Sequence, residues 1–97
     1  MKFQLAPSFH TQYKKLNVRI KKSFKKRIKI FEKNQNDPIL DNHSLKRELT
    51  SFRSIDIWGN KYVAVYEEII EGEEPLAYFV QIGLKDDLYK KKEKSQA

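Results

Sequence analysis

Residues 52–68, FRSIDIWGNKYVAVYEE, alternate apolar and polar side chains, break at Gly59-Asn60, and alternate again. Alternation with period two is the pattern of a strand, and Gly-Asn joins two strands in a tight hairpin. An isolated hairpin is barely stable in water, so this stretch obliges the rest of the chain to supply a covering layer. Ile55 and Ile57 lie on one face of the first strand, and Val63 and Val65 are expected on the same face of the second. Trp58, the only tryptophan, stands beside the break. Alternation puts it opposite in face to Ile57, away from the covered side.

The covering layer is legible upstream. Residues 18–34 place Ile20, Phe24, Ile28 and Phe31 on one helical stripe, with Lys22, Lys26, Lys29 and Lys33 opposite. Before them, Phe9, Tyr13 and Leu16 at i, i+4 and i+7 predict a shorter helix. Ser8 is its expected N-cap, and Asn17 ends it and caps the next. NQNDP at 34–38 stops the second helix, since Asp37 before Pro38 is driven out of helical geometry. KFQLA at 2–6 reads as a first strand, IEGEEP at 70–75 as an acidic loop and LAYFVQIG at 76–83 as a last strand. ILDNHSLKREL at 39–49 is a polar stretch between the helices and the hairpin.

The order is therefore β-α-α-β-β-β. It predicts an α+β fold, with an N-terminal strand and a helical hairpin packed on one face of a four-stranded antiparallel sheet. Residues 1–89 form the expected single domain, and 90–97 a basic tail. A chain of 97 residues closes one modest core. The other sheet face is left for function and is expected to be positively charged.

A formal charge of +7 on this length points to a polyanionic partner. The absence of cysteine excludes thiolate metal sites, disulfides and cysteine nucleophiles. No apolar run reaches membrane-spanning length, and MKFQLAPSF has no signal-peptide core. The expectation is a soluble, cytoplasmic protein with no membrane partner.

Four pieces then stand in a particular order: DNHSL at 41–45, FRSIDIWGN at 52–60, VYEEI at 65–69 and VQIGLKDDLY at 80–89. Together they resemble the RelE/ParE toxin superfamily of type II toxin–antitoxin systems, closest to its YafQ-like and HigB-like branch. The resemblance implies a ribosome-dependent endonuclease that cleaves messenger RNA. The 2′-hydroxyl of a nucleotide attacks its own 3′-phosphate, and neither a metal nor another cofactor is needed. It also implies a cognate antitoxin, with operator DNA contacted only through the toxin–antitoxin complex. His43 matches the family's first catalytic histidine and Tyr89 its terminal aromatic. Asp56 and Asn60 fall where some members place a second histidine and an aspartate. Gln81 stands in place of the phosphate-binding arginine, and Lys85 in place of the late histidine.

Attack by a 2′-hydroxyl needs a base, an acid for the leaving oxygen, and positive charge near the phosphate. His43 supplies proton transfer, Lys85 charge, Arg53 phosphate binding and Tyr89 a base contact; these are the candidate catalytic residues. Lys46, Arg47, Trp58, Lys61 and Gln81 are the candidate RNA-binding residues, although Gln81 brings no charge and no bidentate fork. Lys22, Lys26, Lys29 and Lys33 are candidate contacts to ribosomal RNA phosphates. Each has a plainer reading beside it. A lysine run opposite an apolar stripe is usually a solvated face, though only Glu32 interrupts this one. Trp58 either stacks on a base, buries itself against an antitoxin, or packs on Phe52, Tyr62 or Phe79. The alternative function is a catalytically degenerate or non-enzymatic toxin that binds gyrase or the ribosome and cuts nothing.

Overall fold

The first helix, α1 (Pro7–Lys14), starts on a proline, with Ala6 at the N-cap and no side-chain cap bond. Proline in the first turn has no N–H to satisfy. The expected Ser8 cap is accordingly not formed, and Ser8 Oγ donates to the Val80 carbonyl at 2.8 Å. Asn17 does cap α2 (Val18–Lys33), its Oδ1 accepting from the Ile20 N–H at 3.0 Å. The helix buries the apolar stripe read from the sequence, Ile20, Phe24, Ile28 and Phe31. Asn34 ends it, and Asp37 caps a single 3-10 turn at Pro38–Leu40. The computed structural model describes residues 1–45, 51–59 and 61–88. Lys46, Arg47, Asn60, Tyr89 and the tail 90–97 lie outside them.

The sheet has five strands: β1 (Lys2–Leu5), β2 (His43–Ser44), β3 (Phe52–Trp58), β4 (Tyr62–Glu71) and β5 (Glu74–Leu84). Their spatial order is β1-β5-β4-β3-β2. The four strands expected thus gain a fifth, β2, whose two residues are too few to show alternation. The sheet is also mixed, because β1 runs parallel to β5 while the other pairs are antiparallel. The expected acidic loop is mostly strand. Ile70 pairs with Pro75 and Glu71 with Glu74, leaving a turn at Gly72-Glu73. Gly72 has φ +68°, a left-handed conformation that costs glycine nothing.

The helices cover one face of this sheet. Phe9 and the α2 stripe pack there against Ile55, Ile57, Ala64, Tyr66, Ala77, Phe79 and Ile82. The expectation for Val63 and Val65 fails at this point. Ile55 pairs with Ala64, so Ala64 and Tyr66 lie under the helices, and the two valines face the other way. Trp58 is displaced too. The register shifts between Asp56 and Trp58, so Trp58 pairs with Tyr62, which packs on the helix-covered core. Trp58 therefore shares the helix side with Ile57, at the end of the sheet, 42% exposed. A one-residue bulge reverses every face assignment beyond it. Among the described residues, no helix is long and apolar enough to cross a membrane.

Candidate active site

Directly opposed residues of neighbouring strands share a face. His43 pairs with Ser54, Ser54 with Val65, and Val65 with Gln81. These four side chains therefore form one row across the uncovered face. Three strand spacings of about 4.8 Å separate its ends by roughly 14 Å. The next row along is Asp56, Val63 and Gly83.

His43 occupies the β2 end of the row, about half exposed. Its Nδ1 lies 2.7 Å from the Asp41 carbonyl oxygen. A carbonyl only accepts, so Nδ1 carries the proton and donates. In the neutral ring Nε2 then holds the lone pair, 3.4 Å from the hydroxyl of fully buried Ser54. The Asp41 carboxylate stands 3.9 Å from Nδ1 and reinforces the same orientation. Asp41 itself has φ +46°, rare for a residue with a side chain. Nε2, beside the Ser54 hydroxyl, is then the accepting nitrogen of a half-exposed ring.

At the far end, Gln81 Oε1 is buried and has no hydrogen-bond partner. Beyond it the chain leaves β5, and the Lys85 N–H donates to the Lys61 carbonyl at 2.8 Å. Backbone contact thus brings Lys61 and Lys85 together at the end of the sheet that also carries Trp58, since Trp58 and Leu84 both pair with Tyr62. The chain is helical over 85–88, which folds Leu88 back over Gly83. A Cβ added there would meet Leu88 Cδ2 at 3.8 Å.

The uncovered face is not the continuous positive hollow expected. Its middle is a second apolar cluster, Leu45, Val63, Val65 and Leu88, with Phe52 and Val80 packed against it. Val80 and Gln81 both point there because the β4–β5 register shifts between Val65 and Tyr66. The exposed lysines of α2 lie on the opposite side of the molecule, outward from the helix layer. Asp56 is held structurally, its carboxylate 3.6 Å from Arg27 Nη1.

Arg53 also departs from its expected place. It pairs with Ser44 and Tyr66, so its side chain leaves β3 on the helix side, opposite to His43. Its Nε donates to Asn42 Oδ1 at 2.8 Å. Asn42, which the sequence reading passed over, donates in turn to the Tyr66 hydroxyl at 2.8 Å and to the Gln35 carbonyl at 2.9 Å. Only its position beside His43 marked it. Burial pushes the Tyr66 hydroxyl above its usual value, and the Asn42 bond and the Arg53 charge oppose that rise. Among the described residues, no group of three or more His, Asp or Glu is placed to hold a metal ion.

No protein-family model matches the sequence, and no curated protein gives a significant match. Solved structures do match. A YoeB/ParE toxin from Agrobacterium tumefaciens superposes with TM-score 0.68 at 17% identity, over 87% of this chain and 98% of its own. YafQ from E. coli gives 0.69 at 15%, over 91% and 97%. The isolated RelE toxin of E. coli gives 0.64 at 16%, over 99% and 98%. The chain has the RelE/ParE toxin fold. The RelE-like order of strand, two helices and sheet accounts for nearly its whole length. Identities this low carry the architecture and leave the chemistry to the site itself.

Proposed function

We propose that this RelE-like chain is the toxin of a type II toxin–antitoxin system and a ribosome-dependent endonuclease of messenger RNA. The observation that carries the reading is the His43 ring, half exposed at the edge of the uncovered sheet face and held by the Asp41 carbonyl at Nδ1, which leaves Nε2, beside the Ser54 hydroxyl, as the accepting nitrogen. The 2′-hydroxyl gives its proton to Nε2 and attacks the adjacent phosphorus. The P–O5′ bond breaks and the leaving 5′-oxygen takes a proton from water, giving a 2′,3′-cyclic phosphate and a free 5′-hydroxyl; His43 returns its own proton to solvent. Lys85 stabilises the charge developing on the phosphate, with Lys61 beside it. Gln81 contacts the RNA through its amide. Lys46 and Arg47, close in sequence to His43, bind RNA phosphates, and Tyr89 makes the base contact that the resemblance implies. Lys22, Lys26, Lys29 and Lys33 engage ribosomal RNA phosphates on the opposite side of the molecule. E. coli YafQ has been solved in a toxin–antitoxin complex with DinJ; a cognate antitoxin is the corresponding partner here, and operator DNA is reached only through that complex.

A second reading has its own support. The apolar middle of the uncovered face and the uncharged Gln81 suit a toxin that blocks growth by binding alone. Expression of wild type and of H43A/K85A without an antitoxin separates the two. Endonuclease action predicts growth arrest by wild type and normal growth with the double variant at equal soluble level. Undiminished arrest by the folded double variant contradicts the proposed site and favours binding alone.

A further inference from the structure

We propose that Arg53 is a positioning residue for His43, acting through Asn42, and does not touch the substrate; this rests on reading His43 as the reacting imidazole. Arg53 and His43 occupy opposite faces of the β2–β3 pair. The guanidinium is turned wholly to this network, with Nε donating to Asn42 Oδ1 at 2.8 Å, Nη2 reaching the Asn42 carbonyl at 3.5 Å, and a further hydrogen bond to the Tyr66 hydroxyl. Asn42 spends its whole side chain in response. Its Oδ1 faces a group that only donates, and its Nδ2 donates to the Gln35 carbonyl, a group that only accepts. Its remaining amide proton goes to the hydroxyl of buried Tyr66. The amide orientation is thereby fixed by chemistry, and the Asn42 backbone is fixed with it.

Asn42 sits between the two residues that matter. On one side is Asp41, in its left-handed conformation. On the other is His43, whose Nδ1 proton is taken by the Asp41 carbonyl. A non-glycine residue at positive φ costs roughly 1–3 kcal/mol and persists only where its surroundings over-determine it. The Arg53–Asn42–Tyr66 network supplies that constraint. When Arg53 lets go, Asn42 loses its orientation, Asp41 relaxes, and its carbonyl leaves Nδ1. The imidazole proton then redistributes to Nε2, and a ring protonated there cannot accept the 2′-hydroxyl proton on the open face.

The test uses the full chain and two variants, R53K and N42A. Long-range 1H–15N spectra of the neutral imidazole are expected to show a single Nδ1–H tautomer for His43 in wild type. Both variants should show a mixture containing Nε2–H; an unchanged tautomer in both overturns the proposal. On ribosome-bound messenger RNA, kcat should fall by about tenfold or more in R53K and in N42A, with KM within about twofold. R53K/N42A should be no slower than N42A, since both act through one group. A raised KM with kcat retained in R53K, or additive losses in the double variant, identifies Arg53 as a phosphate contact and overturns the proposal. If N42A does not fold, R53K alone decides. If wild type cuts no RNA, the endonuclease reading fails, and the tautomer spectra still decide the positioning claim.

Discussion

Tyr66 joins the helix-covered core to the loop that carries His43. Its ring packs against Phe31 and Phe79, with centroids 5.2 and 5.0 Å apart, while its hydroxyl accepts from Asn42. Its ionisation therefore reports on folding. Burial raises its pKa in the native state above the ordinary 10.0. A raised folded value means that the stabilisation is fully present below pH 10.0 and is lost as pH climbs through the folded pKa. Wild type should lose stability across that alkaline window more steeply than Y66F. Y66F should start lower at neutral pH, because the Asn42 amide loses an acceptor. Urea midpoints from about pH 9 to about pH 11 check both. Individual residues were unevenly legible. The motif and the loop marked His43, while the face of Arg53 depended on pairing with a two-residue strand that leaves no periodic trace. Trp58 was misplaced by a bulge at Ile57, where a hydrophobic side chain looks like ordinary alternation.

At the scale of elements, each helix closes an open sheet edge with two polar side chains one turn apart. On α1, Ser8 donates to the Val80 carbonyl and Gln12 Oε1 accepts from the Ile82 N–H at 2.9 Å. These bonds occupy β5 where it runs past the end of β1. On α2, Ser23 Oγ donates to the Ile57 carbonyl, and Arg27 Nη1 to the Asp56 carbonyl at 3.2 Å. These occupy β3 beyond the end of β2. Unpaired edges invite pairing with another chain. R27A removes the donor to the Asp56 and Ile39 carbonyls and the ion pair with Asp56. It should cost about 1–3 kcal/mol in chemical denaturation and raise self-association in sedimentation. An R27A protein as stable and as monomeric as wild type would show that these bonds close nothing. The helices themselves were readable because stripe, cap and stop signals agreed. Their edge-capping side chains were not, since nothing in the local pattern says which carbonyl a serine or arginine will reach.

Across the whole molecule, one residue ties the layers together. The Phe79 ring meets Phe3 from β1, Phe9 from α1, Phe24 and Phe31 from α2, and Tyr66 from β4. F79A should therefore cost about 3–5 kcal/mol, more than alanine at partly buried Phe52, as read from denaturation midpoints. Charge is divided as sharply as packing, with the α2 lysines outward on one side and the His43 row on the other. Replacing Lys22, Lys26, Lys29 and Lys33 with glutamine should flatten the salt dependence of ribosome binding, by about one in slope for each lysine on a phosphate. An unchanged slope marks a solvated face. Messenger cleavage by this chain is read out by primer extension after induction in growing cells. Cleavage through His43 predicts new 5′ ends within translated messages for wild type, and none for the folded H43A variant. Growth arrest by wild type with no new 5′ ends would contradict it.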